Sequence, residues 1–442
     1  YFQNVPTTAL DMALWMESDR MGHLLGAIDQ AVLDEQRGVV QNEKRQGENQ
    51  PYGQVWDSLN RALYPVGHPY HHSVIGSMND LNAASLADVH QWFRAWYGPN
   101  NAVLVLAGDI DLATAKQKVA QYFGDIPAGP TLSQPRVNVA KRSADTRQEM
   151  TDQVPQARIY RAWNVAQTGT LDVDQLQVLG SVLGGAKSSR LAKRLLHADQ
   201  LVDNVSAGVF ASQLGSNFIV MATVKQGVEP ARVEAIIDEE MGRLLKDGPS
   251  ADELERAKTG FRAGFIRGIE RIGGFGGKAD ALAECTVFEG DPGCFRQSLA
   301  NIQAMTAEGI SAAGRKWLDV GSHTLVVVPG PRVALEEAPA QVPAPFNLPA
   351  PDKRFSTTAS TVDRSAGVPR TESFPELKFP SQQHAVLSNG TRVVLAQRHE
   401  IPVVQLPYQS PGGFPADQAR KQGTASYTAG LMDEGAAGRD SL

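Results

Sequence analysis

The sequence predicts an α+β fold built from two similar units, and three features of its 442 residues carry that prediction. Long segments with apolar residues at helical spacing are interleaved with short runs, Ala102-Val-Leu-Val-Leu-Ala107 and His323-Thr-Leu-Val-Val-Val-Pro329, that have the length and composition of buried strands. Each run follows a helix bearing a tryptophan, Trp96 or Trp317, 221 positions apart, and each ends at a glycine, Gly108 or Gly330. A helix–strand pair is a common unit, so this spacing suggests duplication only weakly. Between them, Gly124-Asp-Ile-Pro-Ala-Gly-Pro130 breaks the pattern hard enough to end a unit near 128.

Taken in order, Thr8 to Leu25 spaces Leu10, Ala13, Leu14, Met21, Leu24 and Leu25 as a packed helix, with Thr7 or Thr8 as its cap. A start this abrupt reads as the middle of a domain. The next helix runs from Ala31, stops where Asn49-Gln-Pro-Tyr-Gly53 intervenes, and resumes through Trp56, Leu59 and Leu63. His68, His71 and His72 fall in a Pro-interrupted loop, which gives no register for converging metal ligands, so they read as a loop flanking a cleft. Helices follow at Ser85–Tyr97 and Asp111–Phe123. The second unit opens with a strand around Ala157–Trp163 and a helix at Val173–Leu183. Gly184-Gly-Ala-Lys-Ser-Ser-Arg-Leu191 lacks the glycine before lysine that a phosphate loop needs, and reads as a helix start. A strand at Phe218–Val224 and helices at Pro230–Leu245, Ser250–Ile269 and Ile310–Leu318 complete the unit, with Gly273-Gly-Phe-Gly-Gly277 as a kink or hinge. Eight prolines without period between Pro339 and Pro380 predict an extended linker of low order laid over the surface. A third unit then begins, with a turn at Ser388-Asn-Gly390 into a strand from Thr391 and another strand around Val403–Tyr408.

Composition narrows the function. At 42% hydrophobic and 20% charged the chain can fill two or three cores. A net charge of −6 with no basic cluster argues against a nucleic-acid partner. No apolar run approaches the roughly 18 residues of a membrane span. Cys285 and Cys294, the only cysteines, either close a small loop in an oxidising compartment or remain two buried thiols.

One carboxylate sits where apolar side chains belong. Val32, Leu33, Val39 and Val40 share a helical face, and at about 100° per residue Glu43 falls within about 20° of Val32, with Gln36 on the same stripe. Asp34, Arg37, Lys44 and Arg45 point elsewhere and read as solvated. Carboxylates are rarely buried unless paired or metal-bound, so Glu43 either faces a half-open surface beside a cation or has a ligand to meet.

Asp34-Glu-Gln-Arg-Gly-Val-Val-Gln-Asn-Glu43, preceded by Glu17-Ser-Asp-Arg-Met21 and followed by His68-Pro-Tyr, Ile75-Gly76 and Pro99-Asn-Asn101, resembles the pitrilysin/insulinase (M16) family of zinc metallopeptidases. It continues through Ser188-Ser-Arg-Leu191, Gly273-Gly-Phe-Gly-Gly-Lys-Ala-Asp280 and Phe288-Glu-Gly-Asp-Pro292. The resemblance implies tandem α/β rolls of the LuxS/M16-like metalloprotease type, each an antiparallel sheet with helices on one face. By it, 1–127 is the C-terminal part of a first, catalytic roll, 128–338 a second roll, 339–380 the linker and 381–442 the start of a third. It also implies that Glu43 is the third zinc ligand, downstream of the two histidines of an H-x-x-E-H helix. Gln36 stands where relatives often carry a second glutamate.

No H-x-x-E-H occurs between Tyr1 and Leu442, so by the family's spacing it is expected before Tyr1, and this chain supplies no general base of its own. Gly423-Thr-Ala-Ser-Tyr-Thr-Ala-Gly-Leu-Met-Asp-Glu-Gly435 aligns with the family's motif helix, but Ser426, Ala429 and Gly430 replace its two histidines and glutamate, so the third unit is expected to be a packed, metal-free helix. The activity implied is zinc-dependent hydrolysis of peptide bonds in a peptide or unfolded protein enclosed between two halves. The alternative is a non-catalytic scaffold or peptide-holding subunit. Family resemblance further implies a periplasmic location.

Overall fold

A computed structural model describes residues 1–133, 135–337, 340, 347–376, 378–399, 401–417, 421–432, 434–436 and 438–440. Its first 127 residues are helical: α1 (Leu10–Gly22), α2 (Gln30–Asn49), α3 (Val55–Leu63), α4 (Met78–Ala83), α5 (Leu86–Trp96) and α6 (Leu112–Phe123). Local chemistry starts several of them, with Asp29, Ser77, Ser85 and Asp111 side chains each accepting from a backbone N–H in the first turn. The expected Thr7 or Thr8 cap is different: those residues form a 3-10 turn after Pro6, and α1 starts without a side-chain cap. The expected strand at Ala102–Ala107 does not form, and Val103 and Leu104 are exposed. A strand is defined by its neighbour, and this segment has no ladder partner among the described residues.

The next part supplies the sheet. β1 (Thr146–Asp152), β2 (Arg158–Val165), α7 (Leu171–Gly184), β3 (Val202–Phe210), β4 (Ser216–Val224), α8 (Pro230–Asp247), α9 (Ala251–Gly268), α10 (Lys278–Glu289), α11 (Cys294–Ala304), α12 (Ala307–Leu318) and β5 (His323–Pro329) follow in order. A π-helical stretch, Ala192–Ala198, leads out of the Ser188-Ser-Arg-Leu191 helix start. The five strands lie in the order β1-β5-β2-β4-β3, all antiparallel except the β1–β5 pair. Cys285 and Cys294 are joined in a disulfide that ties the end of α10 to the start of α11.

The helices that follow β2 pack on one face of the sheet, as expected for a roll, and the other face is covered by α3 from the first 127 residues. Ile159, Trp163 and Val165 of β2 and Phe218, Val220 and Ala222 of β4 pack under α7, α8, α9 and α12. Burying side chains of this size is worth about 1.5–3 kcal/mol each. Gly180 and Gly184 let α7 lie directly on β3, since a Cβ there would come 2.8 Å from Gly208 Cα and 2.6 Å from Ala207 N. The opposite face, Tyr160, Ala162, Ile219, Leu325 and Val327, is covered by Val55, Leu59, Leu63 and Tyr64 at α3. Near-continuous apolar runs in β4 and β5 are the signature of strands covered on both sides.

Polar contacts lock α3 to the sheet. Tyr64 Oη donates to Asn217 Oδ1 at 3.0 Å, Asn164 Nδ2 to Leu63 O at 2.7 Å, and Tyr52 N to Asp152 Oδ2 at 2.8 Å. Burial pushes the Tyr64 hydroxyl pKa up to about 12.

Beyond β5, the expected boundary near 338 and the prolines at 339, 343 and 345 lie outside the described residues. The remainder of the linker is more firmly placed than expected. Asp352 N donates to Gly129 O at 2.9 Å, Thr358 N to Gly124 O at 2.8 Å, and the Arg364 guanidinium reaches Ser18 Oγ, Asp19 Oδ1 and Tyr122 O over the Trp15 ring. An extended proline-rich backbone exposes its own amides and carbonyls, and here they pair with the turn after α6. The last part holds a β6 (Gln382–Val386)–β7 (Arg392–Ala396) hairpin and α13 (Thr424–Leu431). The strand expected around Val403–Tyr408 is absent, and α13 is exposed rather than packed.

Candidate functional site

Glu43 lies near the C-terminal end of α2, and α2 is held by a different side from the one periodicity suggests. Lys44 is 5% exposed, with Nζ 2.6 Å from Glu48 Oε1, 3.6 Å from Glu337 Oε1 and 3.8 Å from Asp57 Oδ2. Burial alone would lower the pKa of its ammonium, but the hydrogen bond to Glu48 and the three carboxylate charges outweigh it and raise it. The expectation of a solvated Lys44 is therefore corrected. Arg37 fixes the same helix farther along, donating from Nε to Leu81 O at 2.9 Å and from Nη2 to Ala84 O at 2.6 Å, while Gln41 Nε2 donates to Asn82 Oδ1 at 2.7 Å.

The stripe that drew attention in the sequence faces outward. Val32 is 40% and Val39 52% exposed, and Gln36 and Glu43 are exposed with them. Periodicity tells which residues share a face; it does not tell which face is covered. A buried lysine inside a ring of carboxylates satisfies α2 on another side, which no apolar count reveals. Among the described residues no hydrogen bond or ion pair engages the Glu43 carboxylate, so the neighbouring-cation alternative finds no partner.

The histidines of the 68–72 loop are committed elsewhere. His68 is buried, stacks on Tyr64 at 4.6 Å between centroids, accepts from Tyr70 N at Nδ1 and therefore donates from Nε2 to Asn138 O at 2.9 Å as a neutral ring. His71 and His72 bond Tyr64 O and Ser73 O. On α13, Ser426, Ala429 and Gly430 are exposed.

One oxygen ligand cannot hold zinc against water, and no group of three or more His, Cys, Asp or Glu side chains among the described residues is placed to hold a metal ion. The residues present therefore do not form a zinc site by themselves. Glu43 has the chemistry of one ligand of a larger set.

Residues 83–261 match the family model described as the peptidase M16 inactive domain. The zinc protease PqqE of Helicobacter pylori is 25% identical over 277 residues, and the match covers 61% of this chain and 61% of that protein. The chain thus spans less than two thirds of that relative's length. A protease from Helicobacter pylori has a similar solved structure, with a TM-score of 0.65 at 21% identity over 73% of this chain and 77% of the other. A peptidase M16 inactive domain from Pseudomonas fluorescens gives 0.63 at 19% identity over 73% and 76%. At those identities the structures speak for the fold alone. Residues 83–261 are thus similar to the peptidase M16 inactive domain, and the chain shares the fold of these M16-like peptidases.

Proposed function

We propose that this chain is part of a zinc-dependent endopeptidase acting on peptides or unfolded protein, and that Glu43 is its contribution to the metal. The observation that carries this is the free, outward-facing Glu43 carboxylate on a helix pinned on another face by Lys44. Such a side chain is available to join two imidazoles of an H-x-x-E-H helix, which residues 1–442 do not contain. No catalytic step is assigned to residues of this chain. Gln36, uncharged on the same exposed stripe as Glu43, is near the site without being a ligand.

We read the rolls as 1–127, 128–338 and 381–442, joined by 339–380, with the third free of metal because Ser426, Ala429 and Gly430 offer a hydroxyl, a methyl and a hydrogen at the motif positions. The Cys285–Cys294 disulfide favours an oxidising compartment, in line with a periplasmic location. No described helix is long and apolar enough to cross a membrane. The same degenerate motif, with a match to an inactive domain, supports the second reading, a peptide-holding subunit without activity of its own.

The test uses the longer protein that includes an H-x-x-E-H helix ahead of this chain. Zinc content and cleavage of an unstructured peptide should fall together in Glu43→Gln and stay near wild type in Gln36→Ala. A zinc-loaded, active Glu43→Gln protein would end the ligand assignment, whereas a wild-type protein that holds no zinc and cleaves nothing would leave the holding reading.

A further inference from the structure

α9 carries glycines at 260 and 264, one turn apart, and a Cβ built on either meets nothing within 4 Å. This is the reverse of Gly180 and Gly184, where the neighbouring strand forbids a side chain. Glycine inside a helix costs about 0.5–1 kcal/mol relative to alanine, and no packing within this chain requires it at 260 or 264. Both open onto a groove of about 560 Å³ between α9 and the end of α7, within the usual size range of ligand pockets. Val182, Ala257 and Phe261 line it as apolar surface.

Two polar features mark the groove as more than a packing defect. Ser189 lines it, is 4% exposed, and its Oγ has no hydrogen-bond partner among the described residues, although buried hydroxyls are nearly always paired. Glu253 also lines it but is committed. Burial would raise its pKa, yet Arg190, which donates to it at 2.9 and 2.7 Å, and the Ser250 cap pull it down to about 2. Arg256, exposed at the rim, engages no hydrogen bond or ion pair among the described residues. The lining thus offers an apolar floor, one buried hydroxyl without a partner among the described residues and one uncommitted cation.

We propose that this groove holds the C-terminal end of a peptide, its last apolar side chain lying over Gly260 and Gly264 and its carboxylate meeting Arg256. The choice of a peptide rests on the peptide-handling reading above; the site itself needs neither zinc nor Glu43. A terminal carboxylate matches the single free guanidinium, and Ser189 supplies a hydroxyl for the adjoining amide.

The experiment is fluorescence anisotropy on the 442-residue chain without added metal, titrated against a labelled hexapeptide ending in free leucine and the same peptide amidated. Binding of the acid form, at least tenfold weaker for the amide and for Arg256→Gln, and lost in Gly264→Leu with an unchanged melting temperature, is expected. Ser189→Ala should weaken it severalfold. Equal binding of acid and amide, or binding unaltered in Gly264→Leu, overturns the proposal, as does no saturation by about 1 mM, the weak end of useful affinity. Displacement by octanoate as effective as by unlabelled peptide reassigns the groove to fatty acids and overturns it too. Because no metal is present, failure here leaves the Glu43 assignment intact, and loss of that assignment leaves this binding to stand or fall alone.

Discussion

Glu43 and Lys44 are consecutive on α2 and about 100° apart around its axis, which leaves the carboxylate exposed and without a partner among the described residues and the ammonium 5% exposed among Glu48, Asp57 and Glu337. The lysine links three pieces of chain: α2, α3 and the segment just after β5. It thereby sets which way Glu43 faces.

Lys44→Met should lower unfolding stability by about 1–3 kcal/mol, because it leaves three half-buried carboxylates without their cation. Urea unfolding followed by circular dichroism measures this. A change below about 0.5 kcal/mol, the range of ordinary surface substitutions, would show the cluster to be ornamental.

Glu43→Gln should leave the stability of the 442-residue chain within about 0.5 kcal/mol of wild type, since the carboxylate has no partner to lose. The wild-type chain should also retain no zinc after gel filtration, measured by atomic emission, because one carboxylate is not a site. Stoichiometric retained zinc would mean that a ligand set exists which the geometry around Glu43 does not reveal.

Arg364→Ala should release the 352–364 strap from α1 and α6. Its guanidinium contacts Ser18, Asp19 and Tyr122 across Trp15, so cleavage by trypsin within 353–370 should accelerate while the sheet, probed by the fluorescence of Trp163, melts as before. Unchanged cleavage rates would mean that the pairs at Gly124 and Gly129 hold the strap alone.

Stability should rise with pH between about 4 and 6.5 through His323. Burial, with a smaller contribution from the nearby Arg142 charge, pushes its folded pKa down to about 4. The unfolded chain then binds the extra proton throughout that window, so stability is fully present above the unfolded value of about 6.5 and is lost as pH falls toward 4. Nδ1 bonds Thr146 Oγ1 at 2.8 Å and Nε2 is buried without a partner among the described residues, so a charged ring has no acceptor there for its second proton. His323→Gln should flatten the slope of stability against pH in that interval; an unaltered slope would assign it to other groups.

Reducing the Cys285–Cys294 disulfide, or replacing both residues by serine, removes closure of a short loop worth about 2.5–3 kcal/mol in the chain-entropy account. The loss should appear first as faster amide exchange in α10 and α11, not in β2 or β4.

The amino-acid order by itself determined most of the helices, though not α4, α10 or α11, and the strands β2, β4, β5 and β7, because caps such as Ser85 and Ser250, breakers such as Pro51 and the apolar runs of β4 and β5 act locally. It also singled out Glu43, since a carboxylate on an apolar stripe is visible without a fold. The strands β1 and β3 were not legible: β1 is mostly polar and exposed, and β3 alternates only weakly, so each is defined by its neighbour in the sheet. Only tertiary structure decided which face of α2 is covered, because the side chain that covers it is a lysine whose three partners lie up to 293 positions away, at Glu337. Burial of a charge depends on counter-charges that arrive from elsewhere in the chain, and no local period encodes them. The same holds for Ala102–Ala107, whose composition suits a strand but which becomes one only beside another strand.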